Sequence, residues 1–90
     1  MKPFHISVII PIKNRSFFLQ DTINSLKPQI CSFFDVIVVD DHSTDKEFEI
    51  ISKICNVDKN IKLIRLVEGE FGAPLARNKG AAISESKYLF

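Results

Sequence analysis

Apolar and polar positions fall in alternating blocks along this chain of 90 residues. His5–Ile12 (HISVIIPI) is a nearly unbroken apolar run dense in Val and Ile, the pattern of a strand buried on both faces of a parallel sheet. After the polar break at Lys13–Ser16, Leu19, Ile23, Leu26 and Ile30 recur at helical spacing, which predicts one apolar stripe on a helix. Pro28 is expected to end that helix, because it donates no hydrogen bond and its ring clashes with the carbonyl four residues back. Phe34–Val39 (FDVIVV) reads as a second buried strand and closes on Asp40 and Asp41. Thr44 and Glu47 fit a capping box at the start of a second helix, whose inner face carries Phe48, Ile51, Ile54 and Cys55.

Asn56–Asn60 is a polar turn, and Ile61–Val67 (IKLIRLV) alternates more openly, as a strand at a sheet edge does. Glu68–Gly72 is a loop, and Pro74 suits the first turn of a third helix running through Ala76, Asn78 and Ala81 to about Ser84. Lys87–Phe90 (KYLF) begins another strand. This order predicts an α/β fold, a parallel sheet with right-handed crossovers and flanking helices. An apolar strand on the final residues is expected to belong to a domain that continues, so the chain is expected to be truncated.

Composition narrows the function classes. Hydrophobic residues make up 46% and charged residues 26%, which excludes a disordered tail or a collagen-like repeat. A net charge of +1 gives no general pull toward nucleic acid or an anionic membrane. A chain this short buries only roughly 60–65% of its unfolded surface, which leaves little room for a deep dry pocket. Cys31 and Cys55 lie far apart with no metal-ligand spacing and read as reduced, buried small side chains. Ile6–Ile12 is too short and too interrupted for a signal peptide, and no run approaches a membrane span. The cytoplasm, or the cytoplasmic face of a membrane, is the expected compartment.

Ligands of open parallel sheets bind beyond the carboxyl ends of the strands. That rule selects Pro11–Arg15, Asp40–Ser43 and Glu70–Gly72 leading to Arg77 and Asn78. Two adjacent carboxylates at the end of a buried strand repel each other and are costly to desolvate. They serve either as caps of the loop and helix or as acceptors for a ligand, one of each being a third arrangement. Arg77 near a helix start is either an anion contact or a solvated surface charge, and so are Lys13 and Arg15. His42 reads as loop polarity, and His5, on the far side of the sheet, has no role. The phenylalanines are expected mostly in the core, with one of Phe17 and Phe18 reaching another part of a larger protein.

Taken together, SVIIPIKNR, FDVIVVDDHSTD and FGAPLARNKG followed by KYLF resemble the start of the family 2 glycosyltransferases with the GT-A fold. The resemblance covers nearly the whole chain. It implies a Rossmann-like N-terminal half-sheet, with residues 1–90 forming an incomplete nucleotide-sugar-binding part. It implies that Pro11, Lys13 and Asn14 line the nucleotide pocket and that Asp41 accepts a hydrogen bond from the base, typically uracil N3–H. Asp40 would support the base or ribose, and Arg77 would face the diphosphate.

The implied reaction moves a sugar from a nucleotide-sugar donor, a UDP-sugar, to an acceptor hydroxyl on a glycan, lipid or protein, with membrane association of the full enzyme open. The implied divalent cation, Mn or Mg, has its D-x-D ligands after the next strand, where this chain stops, so neither a metal ligand nor a catalytic residue is assigned. Three positions depart from the family pattern. Lys13 replaces a common aromatic residue, Glu70 replaces a frequent Asn, and His42 replaces a common Gly. A carboxylate at position 70 either repels the diphosphate or points to solvent. Two other readings are a receiver-like module binding Mg2+ and phosphate through the Asp pair, and a non-catalytic fragment. In a receiver the acidic pair follows the first strand, not the second.

Overall fold

The computed structural model describes residues 5–84 and the backbone of a two-residue strand at 88–89. Seven elements alternate: β1 (Ile6–Ile12), α1 (Ser16–Leu26), β2 (Phe34–Asp40), α2 (Asp45–Cys55), β3 (Ile61–Arg65), α3 (Ala73–Ile83) and β4 (Tyr88–Leu89). The strands form one sheet in the order β3-β2-β1-β4, and every pairing is parallel. This is the predicted α/β architecture, with β3 at an edge as its alternating charges suggested. Lys87 and Phe90 of the predicted last strand lie outside the described residues.

The strands side the core by parity, because successive side chains point to opposite faces. Ile10 and Ile12 of β1, Val36 and Val38 of β2 and Ile61 of β3 pack with Leu19 and Ile23 of α1 and with Ile51, Ile54 and Cys55 of α2. On the other face Ile37 and Val39 of β2 pack with Leu66 and with Ala76 of α3, and Ile9 and Ile64 close the layer. The chain steps from β1 outward to β3 over one face, then returns across the other face to β4. A constant hand of crossover requires that change of face when the direction reverses. Each fully buried Ile, Leu or Val contributes roughly 1.5–3 kcal/mol, so these two layers dominate the stability.

None of the phenylalanines among the described residues is in this core, contrary to expectation. The gap between a doubly covered sheet and its helices is filled by branched aliphatics that suit the pleat. Phe17 is 90% and Phe18 60% exposed, while Phe48 lies half-buried under the Arg65 guanidinium, 4.2 Å from its carbon. Ile30 also falls outside α1. The helix ends at Leu26, a 3-10 turn at Lys27–Gln29 takes Pro28 in its first positions, and Ile30 packs on the core from the turn beyond. Both cysteines are free, but Cys31 is exposed and only Cys55 is buried, its thiol pushed up to about 11 by desolvation.

At the amino end of the strands sits a carboxylate that the apolar pattern concealed. Asp35 is 5% exposed and pairs in register with Ser7, whose hydroxyl donates to it. His5 Nε2 lies 3.6 Å away and Lys62 Nζ 3.8 Å away.

Gly80 is the close contact between α3 and the sheet. A Cβ there would lie 2.6 Å from Ile9 Cγ2, on a β-branched side chain with little freedom to move. Gly80→Ala adds about 1 kcal/mol of helix propensity but overpacks this contact, at a cost of about 1–3 kcal/mol. The expected outcome is a net loss of up to about 2 kcal/mol, read from urea unfolding.

Candidate functional site

The carboxyl ends of β1, β2 and β3 deliver three loops to one rim, and two neighbouring aspartates divide its work. Asp40, the last residue of β2, shares the face of Val36 and Val38 and is fully buried. Its register partner across β3 is Arg65, so the two side chains meet, with Arg65 Nε 3.1 Å from Oδ2. The Ser43 backbone N–H donates to Oδ2 at 3.2 Å, and the Ser43 hydroxyl donates to Oδ1. Arg65 also donates to the Ser43 carbonyl at 2.7 Å. Asp40 therefore acts inside the protein, closing the turn after β2.

Asp41 lies one residue on. Its N–H continues the sheet ladder to the Ile12 carbonyl at 2.8 Å. Its Oδ2 accepts from the Gly72 N–H at 3.1 Å, whereas Oδ1 is buried and has no hydrogen-bond partner. His42 Nε2 lies 3.9 Å from Oδ1, too far for a hydrogen bond, and a buried carboxylate oxygen without one is expensive to maintain. Asp41 lines a cavity of about 130 Å³ with Pro11, Ile12, Lys13 and Ala73. Whole-ligand sites run to about 300–1,000 Å³, so this space fits a fragment of a ligand such as a single base. Two larger hollows, about 370 Å³ beside Cys55 and Leu63 and about 350 Å³ beside Phe17 and Glu47, lack an unpaired polar group of this kind.

The remaining predicted residues take different parts. Lys13 is exposed on the cavity wall. Arg77 is exposed on α3, one turn after Ala73 and on the same side of the helix. Among the described residues neither cation has a hydrogen bond or ion pair. Asn14, with φ 55°, turns inward to the next loop. Its N–H donates to Ser43 Oγ at 2.8 Å, and its Oδ1 accepts from the Thr44 N–H at 2.8 Å. The predicted capping box is thus only half formed. Thr44 Oγ1 accepts from the Glu47 N–H at 3.3 Å, but Glu47 reaches across to cap α1, taking the Ser16 N–H at 3.2 Å and its hydroxyl at 3.1 Å. No single-helix pattern could reveal this exchange.

Two family departures also find partners. Glu70 pairs with Lys79 Nζ at 2.6 Å and accepts from the Val67 N–H at 3.0 Å. The Glu70 carboxylate is thus paired to α3 rather than pointing free to solvent. His42, with φ 61°, has Nε2 at 2.6 Å from the Glu70 carbonyl and stacks on Phe71 at a ring separation of 4.6 Å.

Among the described residues no three potential metal ligands converge. Asp40 is committed to Arg65 and Ser43, and one oxygen of Asp41 to Gly72, so this rim does not fit a divalent cation. No described helix is long and apolar enough to cross a membrane.

A parallel sheet with flanking helices and its loops gathered on one rim defines a Rossmann-like α/β protein. The chain belongs to the Glycosyl transferase family 2, whose family model matches residues 7–90. Glycosyltransferase GlyG of Streptococcus pneumoniae is 30% identical over 84 residues, covering 93% of this chain and 28% of that protein. The crystal structure of S. aureus TarS superposes with a TM-score of 0.76 at 34% identity, covering 96% of this chain and 26% of that one. The mannosyltransferase PcManGT of Pyrobaculum calidifontis, solved with GDP-Man and Mn2+, has a TM-score of 0.73 at 18% identity over 99% of this chain and 27% of its own, a likeness of fold. This chain spans 12% to 33% of the length of the curated relatives compared with it. Membership in this family displaces the receiver-like reading.

Asp40→Asn is expected to destabilise the chain by about 1.5–3 kcal/mol, the range of hydrogen bonds to a charged group, measured by urea unfolding. The Lys79 ammonium and the Val67 N–H hold the Glu70 carboxyl below its ordinary pKa. A depressed carboxyl stabilises the fold above its unfolded pKa, and that contribution fades as pH falls through the folded value. Lys79→Met is expected to raise the Glu70 pKa back toward the ordinary glutamate value, followed by carboxyl NMR titration.

Proposed function

We propose that residues 1–90 form the nucleotide-gripping part of a glycosyltransferase that moves a sugar from a nucleotide-sugar, a UDP-sugar, to an acceptor hydroxyl. The observation that carries this reading is Asp41, which lines a base-sized cavity and keeps one carboxylate oxygen, Oδ1, without a hydrogen bond. Uracil offers one imino N–H between two carbonyls, which suits a carboxylate with a single oxygen left to accept. Cytosine presents an acceptor at the same ring position and would face repulsion. Pro11, Ile12 and Ala73 supply apolar walls for the ring.

Lys13 and Arg77 contact the diphosphate, Arg77 through the fork geometry that suits phosphate oxygens. Asp40 and Asn14 serve the nucleotide indirectly. Asp40 fixes the turn that presents Asp41, and Asn14 ties the β1–α1 loop to it. The described residues include no general base and no fitting set of metal ligands, so sugar transfer needs both from elsewhere in the complete enzyme. A divalent cation there, Mn or Mg, would neutralise the departing diphosphate. The acceptor is a glycan, lipid or protein hydroxyl, nucleic acid is not a partner, and the donor is met at the cytoplasmic side.

Calorimetric titration of the chain with UDP tests the reading. Asp41→Ala should weaken UDP about ten- to hundredfold, as loss of a hydrogen bond to a charged group does, and CDP should bind wild type no better than UDP binds the variant. UDP at a hundred times its Kd should add about 2.7 kcal/mol of stability. Equal affinity of wild type and variant for UDP would remove Asp41 from the site.

A further inference from the structure

We infer that His42 is a positioning residue that clamps the β3–α3 loop against the β2–α2 loop and so holds the Gly72 N–H on Asp41. His42 occupies the left-handed region at φ 61°, which glycine adopts freely and other residues adopt at a cost. The backbone there does not need an imidazole, so the ring's own contacts account for its presence. Its hydrogen bond and its ring contact both reach the β3–α3 loop. A carbonyl can only accept, so Nε2 carries the hydrogen and donates it to the Glu70 carbonyl. The ring face lies on Phe71, tilted by 31°. The next residue is Gly72, at φ 97°, whose N–H reaches Asp41 Oδ2.

The clamp and the Asp41 contact therefore join the same two loops, two residues apart on each side at most. Phe71 is otherwise 64% exposed, and the loop has few other anchors besides the Glu70–Lys79 pair. Without the ring, the loop keeps its internal Val67–Glu70 bonds, the Lys79 pair and the start of α3, and of its described ties to the β2–α2 loop only the Gly72–Asp41 bond remains. Asp41 then loses the donor that fixes its rotamer, and Oδ1 loses its fixed aim. The charged groups around the ring are Asp41, whose Oδ1 is 3.9 Å from Nε2, and Glu70 with its partner Lys79.

The consequence for donor capture rests on the nucleotide-binding reading above, whereas the clamp itself does not. The test compares the chain as wild type, His42→Gly and His42→Gln. Glycine relieves the backbone and removes the clamp; glutamine restores an amide donor near the position of Nε2 without the ring or its charge. Amide hydrogen exchange at Gly72 is read against Val38 in the sheet core. In His42→Gly, Gly72 is expected to exchange about tenfold faster, as for a lost hydrogen bond, with Val38 unchanged, and His42→Gln is expected to recover most of that protection. UDP affinity should follow the Gly72 protection across the three proteins. Unchanged Gly72 exchange in His42→Gly, or a change matched at Val38, overturns the clamp. If wild type binds no UDP, the nucleotide reading fails while Gly72 exchange still decides the role of His42.

Discussion

The rim of this half-sheet depends on one buried charge. Asp40 has no exposure to water, and removing a carboxylate from water without partners costs several kcal/mol. Ser43 and Arg65 are placed to meet that cost, and meeting it fixes the local backbone. The Ser43 hydroxyl and N–H reach back to Asp40 only if the chain turns sharply after β2, and that turn puts His42 in the left-handed region. By comparison, the helix-surface pair Lys53–Glu49 is about three-quarters exposed on both sides and is worth about 0.3–0.5 kcal/mol. The buried aspartate decides the shape of the loop; the surface pairs decide little.

Parity explains how identical neighbours come to differ. Asp40 points to the α1–α2 side with Val36 and Val38, where Arg65 waits in register on β3. Asp41 is the first residue beyond the strand and meets the start of α3 instead. Of the arrangements the sequence left open, the hydrogen bonds make Asp40 the structural aspartate and leave Asp41 with one bond, to the Gly72 N–H. A one-residue slip of β2 would exchange the two and bring Asp41 against Arg65.

Period and punctuation made the sheet and helices legible in the sequence. Runs of Val and Ile announced β1 and β2, the stripe of Leu19 and Ile23 announced α1, and the charges of β3 announced an edge. The rule that ligands gather beyond strand ends selected Pro11, Lys13 and Asp41, and these three line one cavity. What escaped were relations between distant residues. The partners of Asp40, the burial of Asp35 and the reach of Glu47 to Ser16 depend on register and on loop-to-loop spacing, which no local pattern encodes. The phenylalanines misled for the opposite reason. Hydrophobicity alone assigned them to the core, but the space between sheet and helices takes branched aliphatics, and the rings among the described residues lie outside it.

The exchange of caps between the two βα units ties their fates. The first turn of α1 is finished by Glu47 of α2, and the loop before α2 is finished by Asn14 ahead of α1. Neither unit is therefore a self-sufficient module. A chimera that borrows only the first unit from a relative would inherit a helix whose terminating carboxylate remains behind in the donor, so recombination within this fold has its natural breakpoint after α2 rather than between the two helices.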